Sequence, residues 1–135
     1  MIFIDTGPFL ARHIERDQHH RTAVAAWRRL AGDGRRCATS NFVLDETFTL
    51  LGRRAGYAFA ADRARGLLAS PSLLILRPVP EDEVQAVELL EKFADQEVSF
   101  TDCISFVLMR RHRIRCAFAF DRHFERAGFQ VWPQA

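Results

Sequence analysis

The chain has almost no lysine: of its 19 Lys and Arg residues only Lys92 is lysine, and the rest are arginine. It also lacks the features that mark several other protein classes. Its three cysteines, Cys37, Cys103 and Cys116, are odd in number and widely spaced. Such a set builds neither a disulfide framework nor a Cys-x-x-Cys zinc site. None of the five histidines forms a His-x-x-x-His pair, so zinc on a helix face is excluded as well. No apolar run approaches the roughly 18 residues needed to cross a bilayer, so no membrane association is expected. The opening Met1-Ile2-Phe3-Ile4-Asp5 has no basic segment ahead of an apolar stretch and no cleavage signal. A reduced, cytoplasmic protein is the expectation. Internal repeats, linkers and low-complexity tracts are also missing, and 135 residues fit one compact domain spanning 1–135.

What the chain does have is bulky core material and arginine. Twelve phenylalanines fall among 48% hydrophobic residues. The net charge of +2 is too small to single out a polyanionic partner, but arginines cluster at Arg28-Arg29, Arg35-Arg36, Arg53-Arg54 and Arg110 to Arg113. Arginine suits bidentate phosphate contacts and stacking on bases; the plainer reading of each cluster is a solvated helix face.

Short apolar strands alternate with amphipathic helices, the pattern of an α/β layer fold with a largely parallel sheet. Strands are expected at 2–4, 37–39, 73–76, 116–120 and, at an edge, 130–132. Thr6-Gly7-Pro8 reads as a turn with Pro8 in the first turn of a helix. Further helices are expected over 22–30, from a Ser40 or Asn41 cap to about Arg54, over 59–68, from Pro80, and from Ser99 to His112.

Four acids stand out by position. Asp5 follows the first strand, and Asp121 follows the strand ending at Phe120. Functional groups of open α/β sheets gather outside the carboxyl ends of strands. Asp102 lies at a helix start, where it also completes a capping box, Ser99-Phe100-Thr101-Asp102. Glu46 lies in the first turns of another helix, and its neighbour Asp45 competes with it. A helical wheel sets Val43, Leu44, Phe48, Leu50 and Leu51 on the buried side with the two acids on opposite flanks, and does not choose between them. If these carboxylates share a pocket, two of them at about 4 Å repel by roughly 1 kcal/mol in water and about 4 kcal/mol at an effective dielectric near 20. Without a cation they would take up protons. Oxygen-only ligands favour Mg²⁺ or Mn²⁺, and such an ion activates water and stabilises charge on a phosphoryl group. Hydrolysis of a phosphodiester is the reaction this implies. Among the histidines, His19-His20 reads as a solvated loop, His112 as a cation at a helix end, and His123 as a candidate substrate contact.

The segments Ile2 to Gly7, Thr39 to Thr47, Ser99 to Phe106 and Ala119 to Phe124 resemble, in order and spacing, the PIN-domain toxins of the VapC family, over essentially the whole chain. The resemblance implies a Rossmann-like three-layer α/β/α sandwich with a central, mainly parallel sheet. It implies an Mg²⁺- or Mn²⁺-dependent endoribonuclease with acidic ligands at Asp5, Glu46, Asp102 and Asp121, choosing Glu46 over Asp45, and a supporting hydroxyl at Thr6. It also implies an RNA substrate, a homodimer and a VapB-like antitoxin lying in an apolar groove, for which Phe42, Phe48, Phe59 and Leu67-Leu68 are candidate surfaces. Many PIN sequences carry Thr or Ser just before the last aspartate; here that residue is Phe120.

Other phosphoryl-transfer designs fit poorly. A haloacid-dehalogenase-like phosphatase expects Asp-x-Asp after the first strand, where this chain has Asp5-Thr6-Gly7. A receiver domain expects a lysine after its last strand, and Lys92 falls in a helix. Two readings stay beside the toxin: a PIN nuclease of RNA processing without an antitoxin, and a catalytically idle PIN-like RNA-binding or assembly module.

Overall fold

The computed structural model describes residues 1–134. They form five strands and seven α-helices: β1 (Ile2–Ile4), α1 (Thr6–His13), α2 (His20–Gly32), β2 (Cys37–Ser40), α3 (Asn41–Ala55), α4 (Tyr57–Ala69), β3 (Leu73–Leu76), α5 (Pro80–Lys92), α6 (Phe100–Arg111), β4 (Cys116–Phe118), α7 (His123–Arg126) and β5 (Gln130–Trp132). The strands make one sheet in the order β3-β2-β1-β4-β5, with every pair parallel. Parallel neighbours need helical crossovers, which cover both faces of the sheet. The result is the three-layer α/β/α sandwich expected.

The chain starts in the middle of its sheet. β1 is central, and its three residues Ile2, Phe3 and Ile4 are wholly buried. From β1 the chain winds outward through β2 and β3, then returns to the other side for β4 and β5. The order therefore reverses between β1 and β4, and an open α/β sheet leaves a crevice at such a point, beyond the carboxyl ends of its strands.

Phenylalanine fills the core: Phe3, Phe9, Phe106, Phe118 and Phe124 are fully buried. Each contributes roughly 1.5–3 kcal/mol by leaving water. Helix α6 is buried continuously from Asp102 to Met109, so it reads as an apolar run rather than as a stripe. Leu10, Ile14, Leu51 and Ala60 form a smaller cluster between α1, α3 and α4. Phe42, Phe48 and Leu67 are half-buried against the main core and Phe59 against the smaller cluster; of the apolar groove candidates only Leu68 is exposed.

Two boundaries differ from expectation. Strand β4 ends at Phe118, not Phe120. Its partner β1 ends at Ile4, and the ladder closes where the Asp5 N–H donates to the Phe118 carbonyl (3.0 Å). Thr6-Gly7-Pro8 is no separate turn but already the first turn of α1, where the N–H that proline lacks would be unpaired anyway.

Candidate active site

Asp5, Asp102 and Asp121 sit at or just beyond the ends of elements, and Glu46 lies in the second turn of α3. Asp5 is the residue between β1 and α1, with extended backbone, and its carboxylate makes no capping bond to the helix. That leaves the carboxylate free to face the crevice. The Thr39 hydroxyl donates to the Ile4 carbonyl (2.8 Å), which ties the end of β2 to the end of β1. Ser40 then caps α3 by accepting from the Val43 N–H (3.1 Å), and α3 carries Glu46 back toward Asp5. Asp45, on the other flank of α3, is exposed. Of the two acids the helical wheel left open, Glu46 is the one that lines the cleft.

Asp102 caps its helix and also lines the cleft. It completes the capping box of α6, its N–H donating to Ser99 Oγ (3.0 Å) while its Oδ2 accepts from the Ser99 N–H (3.3 Å). The same Oδ2 lies 2.8 Å from His123 Nδ1, leaving Oδ1 for the crevice. Asp121 lies in the bend after β4, where its Oδ1 accepts from the His123 N–H (3.0 Å) and holds the start of α7. Its Oδ2 is 3.8 Å from His123 Nδ1. His123 thus sits between two of the acids, where the sequence marked it only as a substrate contact.

Asp5, Glu46, Asp102 and Asp121 line one cleft of about 510 Å³, together with Thr6, Gly7, Asp17, His19, Phe120 and His123. A larger cleft, about 1220 Å³, opens between α1, α2 and α4 around Arg12, Trp27, Arg35 and Arg63. Its one carboxylate, Asp62, is paired with Arg63 at 3.1 Å. Size does not locate the acid chemistry here.

Electrostatics single out Asp5. It is only 6% exposed, and its carboxyl titrates well above the ordinary aspartate range. Burial is the main cause; Asp102, Asp121 and Glu46 add repulsion, and the Thr6 N–H offsets part of it. Asp102 is raised too, by burial and by Asp121, against the opposing contacts of His123 and Ser99. Among the described residues no lysine or arginine makes a salt bridge to any of the four acids.

Thr6 supplies a second sign of an incomplete site. Its Oγ1 is buried at the cleft with no hydrogen-bond partner among the described residues. A buried hydroxyl left unpaired costs about 1–3 kcal/mol. Hard oxygen donors, mutual repulsion and an orphaned hydroxyl together fit a divalent cation with part of its water shell retained. Among the described residues no three or more His, Cys, Asp or Glu side chains are grouped as the ligands of an ion.

One reading of the histidines is corrected. His19 and His20 are not a freely solvated pair. His20 Nδ1 lies 2.7 Å from the Ala11 carbonyl. His19 lies flat on Phe120, ring centroids 4.3 Å apart and planes at 15°, and lines the acidic cleft. Loop residues have no periodicity to reveal such a placement; the aromatic at 120 was the one available hint.

No helix among the described residues is long and apolar enough to cross a membrane. Comparison with known proteins agrees with the geometry. The PIN domain family matches residues 2–130. The chain is 40% identical over 135 residues to the 23S rRNA-specific endonuclease VapC20 of Mycobacterium tuberculosis, covering 99% of this chain and 100% of that protein. It is 31% identical over 124 residues to a VapC ribonuclease of Archaeoglobus fulgidus, covering 90% of this chain and 77% of that one. The crystal structure of Mycobacterium tuberculosis VapC20, a sarcin–ricin loop cleaving toxin, superposes with a TM-score of 0.86 at 38% identity over 96% of each chain. The match from first strand to last, with a parallel sheet of the same kind beneath it, makes this chain a member of the PIN domain family, of its VapC-like branch.

Proposed function

We propose that the chain is an endoribonuclease that uses Mg²⁺ or Mn²⁺ to hydrolyse RNA phosphodiester bonds, and that it is the toxin of a VapBC-type pair. The observation that carries the reading is Asp5: a buried carboxylate facing three others and bonded to no lysine or arginine. Asp5, Glu46 and Asp102 would hold the ion, with Asp121 completing the set and the Thr6 hydroxyl free to bond to its water shell. When bound, the ion supplies charge neutralisation and water activation at the phosphoryl group.

The protein's own residues do the rest. The capping box fixes Asp102 on the rigid start of α6, and the Thr39–Ile4 bond fixes Asp5 relative to α3, so the acids keep their spacing without rearranging during reaction. His123 occupies Oδ2 of Asp102 and orients that carboxylate. No side chain in the cleft is needed as a covalent nucleophile.

The ribosomal specificity of VapC20 supports a looped ribosomal RNA as the substrate class. A toxin of that kind has to be held in check in the cell that makes it, which calls for a VapB-like antitoxin, and a cytoplasmic homodimer completes the reading. The primary test is cleavage of labelled ribosomal RNA with Mn²⁺ and with EDTA. The parent should cut only with the ion, and folded Asp5→Asn should not cut. Equal cutting by both proteins would refute the mechanism, and absence of cutting by the parent would favour an idle binding module. Co-purification with the product of an adjacent short gene, and a solution mass twice that of the chain, test the antitoxin and the dimer separately.

A further inference from the structure

His19 and Phe120 form a built aromatic mount at the rim of the acidic cleft. The His19 backbone N–H donates to Asp17 Oδ1 (2.8 Å), which fixes the loop between α1 and α2. Its imidazole lies on Phe120 at 4.3 Å and 15°. Phe120 is braced edge-on by Phe118 (5.7 Å, 83°), and Phe118 by Trp27 (5.4 Å) and Trp132 (5.1 Å). A Cβ at Gly7 would meet Phe120 Cδ2 at 3.5 Å, an ordinary contact distance, so the phenyl ring lies close to the first turn of α1 beside Asp5. An unbroken chain of rings therefore runs from the core to the mouth of the cleft.

This mount is not closed packing. His19 and Phe120 are both half-buried, and both line the same cleft as Asp5, Asp102 and Asp121. The imidazole of His19 forms no hydrogen bond among the described residues, so its environment is set by the flat contact with Phe120. A rigid ring with one face backed and its surroundings open is what a splayed base needs. RNA loops offer such bases, and proteins take them by stacking on aromatic side chains.

We propose that the His19–Phe120 pair is a platform on which an unpaired base, next to the bond to be cut, stacks; the proposal rests on the nuclease reading above. Stacking tolerates any base because every base has a π-face. The pair therefore selects RNA whose bases are unpaired rather than RNA of one sequence. Base-paired stems are excluded because their faces are already covered.

The test uses the full chain and a hairpin RNA carrying the sarcin–ricin loop, with 2-aminopurine placed at each loop position in turn. Fluorescence quenching with Ca²⁺ reports stacking, and cleavage is followed with Mn²⁺. For the parent, one position beside the cut should be quenched on binding. His19→Ala should lose that quenching and bind roughly 5- to 100-fold more weakly, the range of one lost base–aromatic stack. The loss should appear in KM, with kcat changed little. His19→Phe should restore both binding and quenching, which a role for the imidazole nitrogens would not allow, and circular dichroism confirms that each variant is folded. If folded His19→Ala quenches and cuts like the parent, the platform is refuted while the nuclease stands. If the parent itself neither binds nor cuts the RNA, both fall together.

Discussion

Replacing Asp5 by asparagine is expected to make the protein more stable and inactive at once. The carboxyl is raised in the folded chain by burial first, then by Asp102 and Asp121. Between the ordinary aspartate range and its raised native value, the folded state therefore holds more protons than the unfolded one. Stability then falls as pH rises through that window, and the deficit persists above it. Asparagine keeps the shape and removes the charge. Burial of the charge and repulsion from Asp102, Asp121 and Glu46 are both relieved, and the gain at neutral pH is on the order of 1–4 kcal/mol, the span for two like charges about 4 Å apart between water and an effective dielectric near 20. For a chain of this size that is about 3–15 °C in Tm. Calorimetry in EDTA at pH 7.5 should show the variant melting above the parent, with the gap closing toward pH 4. Saturating Mn²⁺ should reverse the order, because an ion at about 1,000 times its Kd adds about 4.1 kcal/mol to the parent and far less to the variant. A variant that melts below the parent in EDTA, or that gains as much from Mn²⁺, would refute the account of Asp5 as a charge kept for an ion.

Glu46→Gln should slow RNA cleavage by roughly 10- to 100-fold, the usual cost of disturbing a ligand shell, while Asp45→Asn, changed at an exposed position, leaves initial rates unaltered; equal effects would reopen the assignment. Asp102→Asn and Asp102→Ala should both abolish cleavage, but only alanine loses the bond to the Ser99 N–H. Urea titration should therefore place Asp102→Ala about 0.5–2 kcal/mol below Asp102→Asn, and identical midpoints would dismiss the capping role. Thr6→Val removes the unpaired hydroxyl, so the metal-free protein should gain on the order of 1 kcal/mol while the Mn²⁺-dependent rise in Tm shrinks. An unchanged rise would remove Thr6 from the site.

Much of this was written locally in the chain. Strands β1, β3 and β4 are short apolar runs, and the Ser40 cap and the Ser99 box do hold their helices. Other features depend on what lies alongside. Ala117 to Phe120 has strand character throughout, yet β4 stops at Phe118 because its central neighbour has already turned into α1. Asp45 and Glu46 flank the apolar stripe of α3 equally, and which flank meets Asp5 is decided by how α3 lies on the sheet. His19 shows the limit most clearly. Its partner Phe120 sits at the other end of the sequence, and only the adjacency of β1 and β4 brings the loop and the bend together.

Four acids sharing one cleft, with no arginine or lysine bonded to them among the described residues, also bear on control. An anionic strand and a cation entering such a mouth assist each other, and thermodynamic reciprocity requires that each raise the other's affinity by the same factor. If the proposed ion binds there, the protein's activity would follow the free divalent-ion level around it, without any change in how many copies are present.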